Sequence, residues 1–197
     1  NPAVVGWALA GSMFAAGGVS GMINAGMNIN LLIHNTIWVP GHFHLTVGTA
    51  VALTLMAISY WLIPQLNGRK LKHKTLALIQ PYAWFLGMTL MSNAMHLAGL
   101  AGVPRRTAEP EFNTNAMTFE PVFGTMSEMK WQIAIGGTIL LISLVLFLWV
   151  ITTSWLAGEK SDKPVDDYIP EPLSGVEHTP AVLDNIKLWF ALALILV

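Results

Sequence analysis

The sequence predicts an all-α fold, a polytopic transmembrane helix bundle with four complete spans and the start of a fifth. The first observation is composition: 54% of the 197 residues are hydrophobic and only 11% are charged, whereas soluble domains carry about 25% charged residues. The second is that four apolar stretches reach the roughly 20 residues that a membrane-crossing helix needs. The third is that polar loops, one of them strongly basic, separate these stretches.

Residues that start, stop or pack helices support each predicted span. The first span is rich in glycine, alanine and serine, small residues that let membrane helices approach closely. Pro40 suits the first turn of the second span, and Pro64 marks its exit. Pro81 lies early enough in the third span to be tolerated, and Asp184 or Asn185 can cap the fifth. The predicted spans are 3–32, 40–63, 76–101, 131–155 and, incomplete, 184–197.

The charges of the loops predict their sides of the membrane. Arginine and lysine are concentrated at 69–74, between the second and third spans, and short basic loops stay in the cytoplasm. By alternation, the loop 102–130 lies outside and the loop 158–183 lies inside. We expect residues 1–197 to form a single transmembrane domain that is a fragment of a longer polypeptide, because the last apolar run is shorter than a full span.

Two histidines, His42 and His44, stand one residue apart in the segment "VPGHFHL" at the head of the second span. Each residue of an α-helix turns by about 100°, so these two side chains point about 200° apart. Chelation of one metal ion from a single helix face uses spacings of three or four residues. The pair therefore favours one helix standing between two separate ligands, and neutral imidazole is a good ligand for iron.

A structural role for both histidines is the alternative interpretation. Each imidazole would then be a polar core group hydrogen-bonded to a neighbouring helix, as some membrane histidines are. Because His42 and His44 lie on opposite faces, that interpretation requires two separate polar partners, whereas a flat macrocycle on each side would satisfy both rings.

The stretch "HNTIWVPGHFHLTVGT" resembles the tenth-helix region of subunit I of the haem-copper oxidases. The resemblance implies that His42 binds the iron of the high-spin haem at the oxygen-reducing site. It implies that His44 is an axial ligand of the low-spin haem and that Phe43 lies between the two rings. His34 matches a family residue close to the propionates of the active-site haem.

Adjacent arginines, Arg105 and Arg106, follow the third span in "HLAGLAGVPRR". They fall in the loop placed outside, where positive charge is disfavoured, so a local carboxylate partner is expected. The element is similar to a G-L-x-G-x-P-R-R motif of the same family, which implies that both arginines bind haem propionates. His96 is interpreted as a buried residue that hydrogen-bonds between helices rather than as a ligand.

Two asparagines depart from the family pattern. Asn30 and Asn35 stand where many family members have aspartate. A neutral amide is a weaker ligand for a hard cation, so no magnesium site is predicted at Asn35. The combination of H-N-T with "GVPRR" resembles the B-type branch of the family.

The resemblance implies the catalytic subunit of a terminal respiratory oxidase in a membrane, with the prokaryotic plasma membrane expected. It implies two haems, one high-spin and one low-spin. Copper is expected in the full subunit, with its ligands on helices outside this chain. Expected partners are other oxidase subunits including the electron-entry subunit, cytochrome c or quinol as donor, O₂ and the lipid bilayer. The net charge of −1 argues against nucleic acid as a partner.

Two other functions remain open at this point. Nitric oxide reductase has the same paired-histidine arrangement, and the residues that separate it from an oxidase lie upstream. The second of these functions is that of a transporter with histidines in a polar pathway. It is disfavoured because the interiors of the first three spans contain no Asp, Glu, Lys or Arg.

Overall fold

A computed structural model of the chain describes residues 1–106, 126–162, 180, 182–183 and 185–196. The chain divides into two compact units, Asn1–Asp162 and Lys163–Val197. In the described residues every regular element is a helix, and two isolated antiparallel bridges join loops. The helices are α1 (Pro2–Ala25), α2 (Met27–Ile33), α3 (Trp38–Leu45), α4 (Ala52–Leu66), α5 (Lys74–Leu100), α6 (Met126–Ala157) and α7 (Ile186–Leu196).

The second predicted span is one continuous helix, Trp38–Leu66. It consists of α3, a π-helical segment at Thr46–Val51, and α4. Pro40 lies in the first turn as predicted, but Pro64 lies inside the helix instead of marking its end. In the described part of the chain, Pro2–Ala25, Trp38–Leu66 and Ser127–Ala157 are long and apolar enough to cross a membrane.

Helix α5 is also long enough to cross a membrane, at 27 residues, but it is less apolar. Two of its polar side chains, Gln80 and Ser92, are buried against other helices. Gln80 accepts a hydrogen bond from the Tyr60 hydroxyl at 3.0 Å and donates one to the Ser143 hydroxyl at 3.0 Å. This network joins α4, α5 and α6, and hydrogen bonds between helices are a source of association energy inside a membrane.

The first predicted span is not one helix, because the chain leaves the helical conformation at Gly26, where φ is −70° and ψ is 112°. Helix α2, seven residues long, follows the break. The expectation of a single helix over 3–32 is therefore wrong at this point. In the second unit, the Asn185 side chain caps α7 by accepting a hydrogen bond from the Leu188 N–H at 3.1 Å.

The loops of the first unit meet in pairs. Thr36 bridges Pro104, so the short loop after α2 lies beside the loop after α5. Arg69 bridges Lys160, so the basic loop lies beside the end of α6. This grouping agrees with the predicted alternation of sides. The predicted loops 102–130 and 158–183 lie mostly outside the described residues, because 107–125 and 163–179 are not among them.

Candidate functional site

The His42 imidazole faces α1. Its Nδ1 lies 2.8 Å from the hydroxyl oxygen of Ser20, a buried residue. The Ser20 hydroxyl donates its own proton to the Gly17 carbonyl at 2.9 Å, so its oxygen is left to accept from His42. With the Ser20 hydroxyl assigned in this way, the neutral His42 ring carries its proton on Nδ1 and presents a lone pair at Nε2. A neutral imidazole in this tautomer is the form that binds a metal through Nε2.

The His44 imidazole has the same tautomer for a different reason. Its Nδ1 lies 2.6 Å from the backbone carbonyl of Pro40, one turn earlier in α3. A carbonyl only accepts hydrogen bonds, so Nδ1 carries a proton, and in the neutral ring Nε2 is then the unprotonated nitrogen. The helix therefore carries two imidazoles whose Nδ1 atoms are both hydrogen-bonded, one ring from each histidine.

The two rings face different surroundings, as their spacing predicts. His42 lies against α1, and a Cβ atom built on Gly21 would be 3.2 Å from its Cε1. His44 lines a cavity of about 590 Å³ together with Pro40, Phe43 and Met95. The Phe43 ring is 52% exposed and lies 5.3 Å from the His42 ring between centroids.

Arg105 and Arg106 line the same cavity as His44. Arg105 is held at the loop bridge: its backbone N–H donates to the Asn35 carbonyl at 2.9 Å, and its Nη2 donates to Asn35 Oδ1 at 3.1 Å. Asn35 has a φ of 62°, a left-handed conformation that asparagine tolerates better than most residues. The bridge thus places a guanidinium group at the cavity of a histidine that lies far away in sequence.

His34 stands apart from this cavity. It is exposed, directly after α2, and lines a second cavity of about 430 Å³ with Met27, Asn30 and Leu31. Of the six residues singled out from the sequence, His44, Phe43, Arg105 and Arg106 line one cavity, while His42 faces α1 and His34 lines another.

The chemistry of the His44 cavity fits a haem. Its volume lies within the range of about 300–1,000 Å³ that is usual for ligand sites. It offers the His44 imidazole, apolar walls from Phe43 and Met95, and two guanidinium groups. The imidazole would match the haem iron, the apolar walls would match the flat ring, and the guanidinium groups would match the two propionates.

His96 makes its hydrogen bonds inside its own helix, so the expectation that it links helices is wrong. Its Nδ1 donates to the Ser92 carbonyl at 2.7 Å. Ser92 provides the link, because its hydroxyl donates to the Gly41 carbonyl at 2.8 Å. The His96 ring packs edge-on against Trp38, with the ring centroids 4.4 Å apart.

Sequence reasoning missed two residues of this site. Ser20, the partner of His42, lies 22 positions away in a helix with many small residues, and nothing marks it apart from its neighbours. The sequence indicates for Asn35 only a weak ligand for a cation, whereas in the structure Asn35 positions Arg105. Asparagine tolerates the left-handed conformation that Asn35 adopts. The contact between Asn35 and Arg105, however, is visible only in the folded structure.

A membrane bundle in which one helix offers two unprotonated imidazole nitrogens on different sides, beside an arginine-lined cavity, has the features of a membrane cytochrome. A family described as cytochrome c and quinol oxidase polypeptide I matches residues 2–139. The chain belongs to this family, the subunit I family of the haem-copper oxidases.

Individual relatives agree with the family match. The chain is 37% identical over 206 residues to cytochrome c oxidase subunit 1 of Thermus thermophilus, covering 100% of this chain and 35% of that protein. It is 34% identical over 153 residues to cytochrome c oxidase polypeptide 1 of Halobacterium salinarum, covering 76% and 23%. A cryo-EM structure of a heme-copper terminal oxidase dimer matches with a TM-score of 0.72 at 30% identity, covering 99% of this chain and 33% of that one. The chain thus spans about a third of the length of the Thermus protein and of the matched oxidase chain.

Proposed function

We propose that this chain is part of the catalytic subunit of a terminal respiratory haem-copper oxidase. The subunit would reduce O₂ to water, with electrons passing from a low-spin to a high-spin haem and with coupled proton translocation. The observation that carries the proposal is the pair His42 and His44, whose Nδ1 atoms are both engaged and whose Nε2 atoms are both left to bind metal.

His42 would bind the high-spin haem iron and His44 the low-spin haem iron. Haem iron, when bound, supplies reversible one-electron chemistry and, at an open coordination position, O₂ binding. The protein holds each imidazole in one tautomer and one orientation, because Ser20 and the Pro40 carbonyl accept the Nδ1 protons. Phe43, which lies between His42 and His44 in sequence, would lie between the two haem rings.

Arg105 and Arg106 would neutralise haem propionates by charge-assisted hydrogen bonds. Arg105 is already positioned by Asn35, so less side-chain freedom is lost when an anion binds. His34 would lie near the propionates of the active-site haem. The electron donor would be cytochrome c or quinol, acting through an electron-entry subunit, and copper would be held by another part of the subunit. In a prokaryotic plasma membrane, His42, His44 and the arginine pair would lie towards the outer side.

Optical spectra of the intact membrane oxidase, reduced and then reduced with CO, test the proposal. The wild type should show two haems, of which one shifts with CO. His44→Ala should lose only the haem that does not bind CO, and His42→Ala should lose the haem that does. His73→Asn is the matched control, because His73 lies in the basic loop in a left-handed conformation, with φ of 53°, that asparagine tolerates.

A preparation without haem, or both haem signals surviving in His42→Ala and His44→Ala, would contradict the proposal. Consumption of O₂ by the haem-loaded enzyme supports an oxidase, whereas turnover of nitric oxide without O₂ consumption would assign the protein to the reductases instead.

A further inference from the structure

The helix that carries His42 and His44 changes its winding directly after the second histidine. An α-helical N–H bonds to the carbonyl four residues earlier, whereas the segment Thr46–Val51 is π-helical and the Ala52 N–H reaches the Val47 carbonyl five residues earlier. Single π-helical turns inside α-helices are rare and are frequently found at functional sites. The turn adds backbone between His44 and the rest of the span, so the direction of His44 depends on how the turn is held.

Two side-chain donors hold carbonyl groups at this turn. The Thr49 hydroxyl donates to the His44 carbonyl at 3.0 Å, and Thr49 is fully buried. The Trp84 indole N–H, from α5, donates to the Gly48 carbonyl at 3.0 Å. One bond therefore acts on His44 itself, and the other fixes the π-helical turn against a neighbouring helix.

Close packing at Gly48 adds to the same constraint. A Cβ atom on Gly48 would lie 2.9 Å from the end of the Met88 side chain and 3.8 Å from the Cβ of His44. Met88 is buried and lies one helical turn after Trp84, so both residues act on Gly48 from the same face of α5. The backbone of the turn is thus enclosed between His44 and α5.

We propose that Trp84 and Thr49 are positioning residues for His44, which fix its imidazole by holding the π-helical turn that follows it. This inference rests on the proposed function in one respect, since it takes His44 as the ligand of the low-spin haem. The orientation and hydrogen bonding of an axial imidazole tune the electronic state of the iron. Loosening the turn should therefore alter the low-spin haem more than the high-spin haem.

Two conservative substitutions in the intact oxidase test this role. Trp84→Phe keeps an aromatic ring and removes the N–H, and Thr49→Val keeps the volume and removes the hydroxyl. The matched controls are Trp131→Phe, at a residue of α6 that is 67% exposed, and Thr49→Ser, which keeps a hydroxyl donor. The readouts are the electron paramagnetic resonance spectrum of the low-spin haem, the CO-difference spectrum, and the equilibrium of electrons between the two haems.

Both Trp84→Phe and Thr49→Val should shift the low-spin signal and change the electron-sharing equilibrium by up to about tenfold, the amount that one neutral hydrogen bond can contribute. The CO-difference spectrum should stay as in the wild type, and both controls should match the wild type throughout. Wild-type low-spin signals in both test variants would overturn the inference. If Trp84→Phe does not assemble, the comparison of Thr49→Val with Thr49→Ser decides it.

The inference and the proposed function fail in different ways. If His44→Ala keeps the haem that does not bind CO, the ligand assignment is wrong and the proposed function fails with it. If His44→Ala loses that haem while Trp84→Phe and Thr49→Val leave it unchanged, only the positioning role is wrong.

Discussion

Substitution of Ser20 by alanine tests the tautomer of His42. The Ser20 hydroxyl is the acceptor for the Nδ1 proton at 2.8 Å, and Ser20 is only 6% exposed, so water does not readily replace it. Leaving a buried N–H without an acceptor costs about 1–3 kcal/mol. Loss of a hydrogen-bond partner of a metal-binding histidine typically lowers metal affinity by about 10–100-fold. We expect Ser20→Ala to weaken retention of the CO-binding haem within that range.

The assay follows transfer of haem from the purified oxidase to excess apomyoglobin, with the CO-binding fraction measured by its difference spectrum. Ser12→Ala is the matched control, because Ser12 also lies on α1 and donates to a carbonyl three residues earlier, that of Leu9 at 2.7 Å, but it is exposed. Ser12→Ala should behave as the wild type. If Ser20→Ala retains its haem as strongly as Ser12→Ala, another acceptor serves His42 and the reasoning is refuted.

Two further substitutions test the packing of the bundle in a detergent unfolding titration. Gly136→Ala should lower the free energy of unfolding by about 1–3 kcal/mol, because its Cβ would lie 2.6 Å from the Gly87 carbonyl oxygen on α5. Gly137→Ala is the control, because there is open space around Gly137. Equal unfolding midpoints for the two variants would count against this close crossing of the helices. Tyr60→Phe should lower that free energy by about 0.6 kcal/mol and at most about 1.7 kcal/mol, because it removes the hydrogen bond to Gln80; an unchanged midpoint would mean that the network contributes nothing to stability.

The length of the apolar stretches and the geometry of the α-helix made much of this protein predictable from its sequence. The second, third and fourth apolar stretches predicted helices, with ends displaced by a few residues, because the length of a membrane-crossing segment is set by the bilayer. The positions of His42 and His44 predicted that their rings face different surroundings, because the turn per residue in an α-helix is a local property. The alternation of spans predicted which loops lie together, and the bridges Thr36–Pro104 and Arg69–Lys160 agree with it, whereas the side of the membrane stays a prediction.

The sequence did not predict where the helices deviate from regular winding. The break at Gly26 and the π-helical segment Thr46–Val51 lie inside stretches that the sequence predicts as single spans. Hydropathy and composition describe a stretch as a whole and do not locate a change of winding within it.

Three contacts of the candidate site and the turn after it were decided only by the tertiary structure. The sequence by itself determined the bundle, the two-sided histidine helix and the arginine pair, because these depend on residue type and on short spacings. It did not determine that Ser20 accepts the proton of His42, that Asn35 holds Arg105, or that Trp84 reaches the turn after His44. Each of these contacts joins residues at least 22 positions apart, and it exists only because helix packing brings one donor within hydrogen-bonding distance of one acceptor.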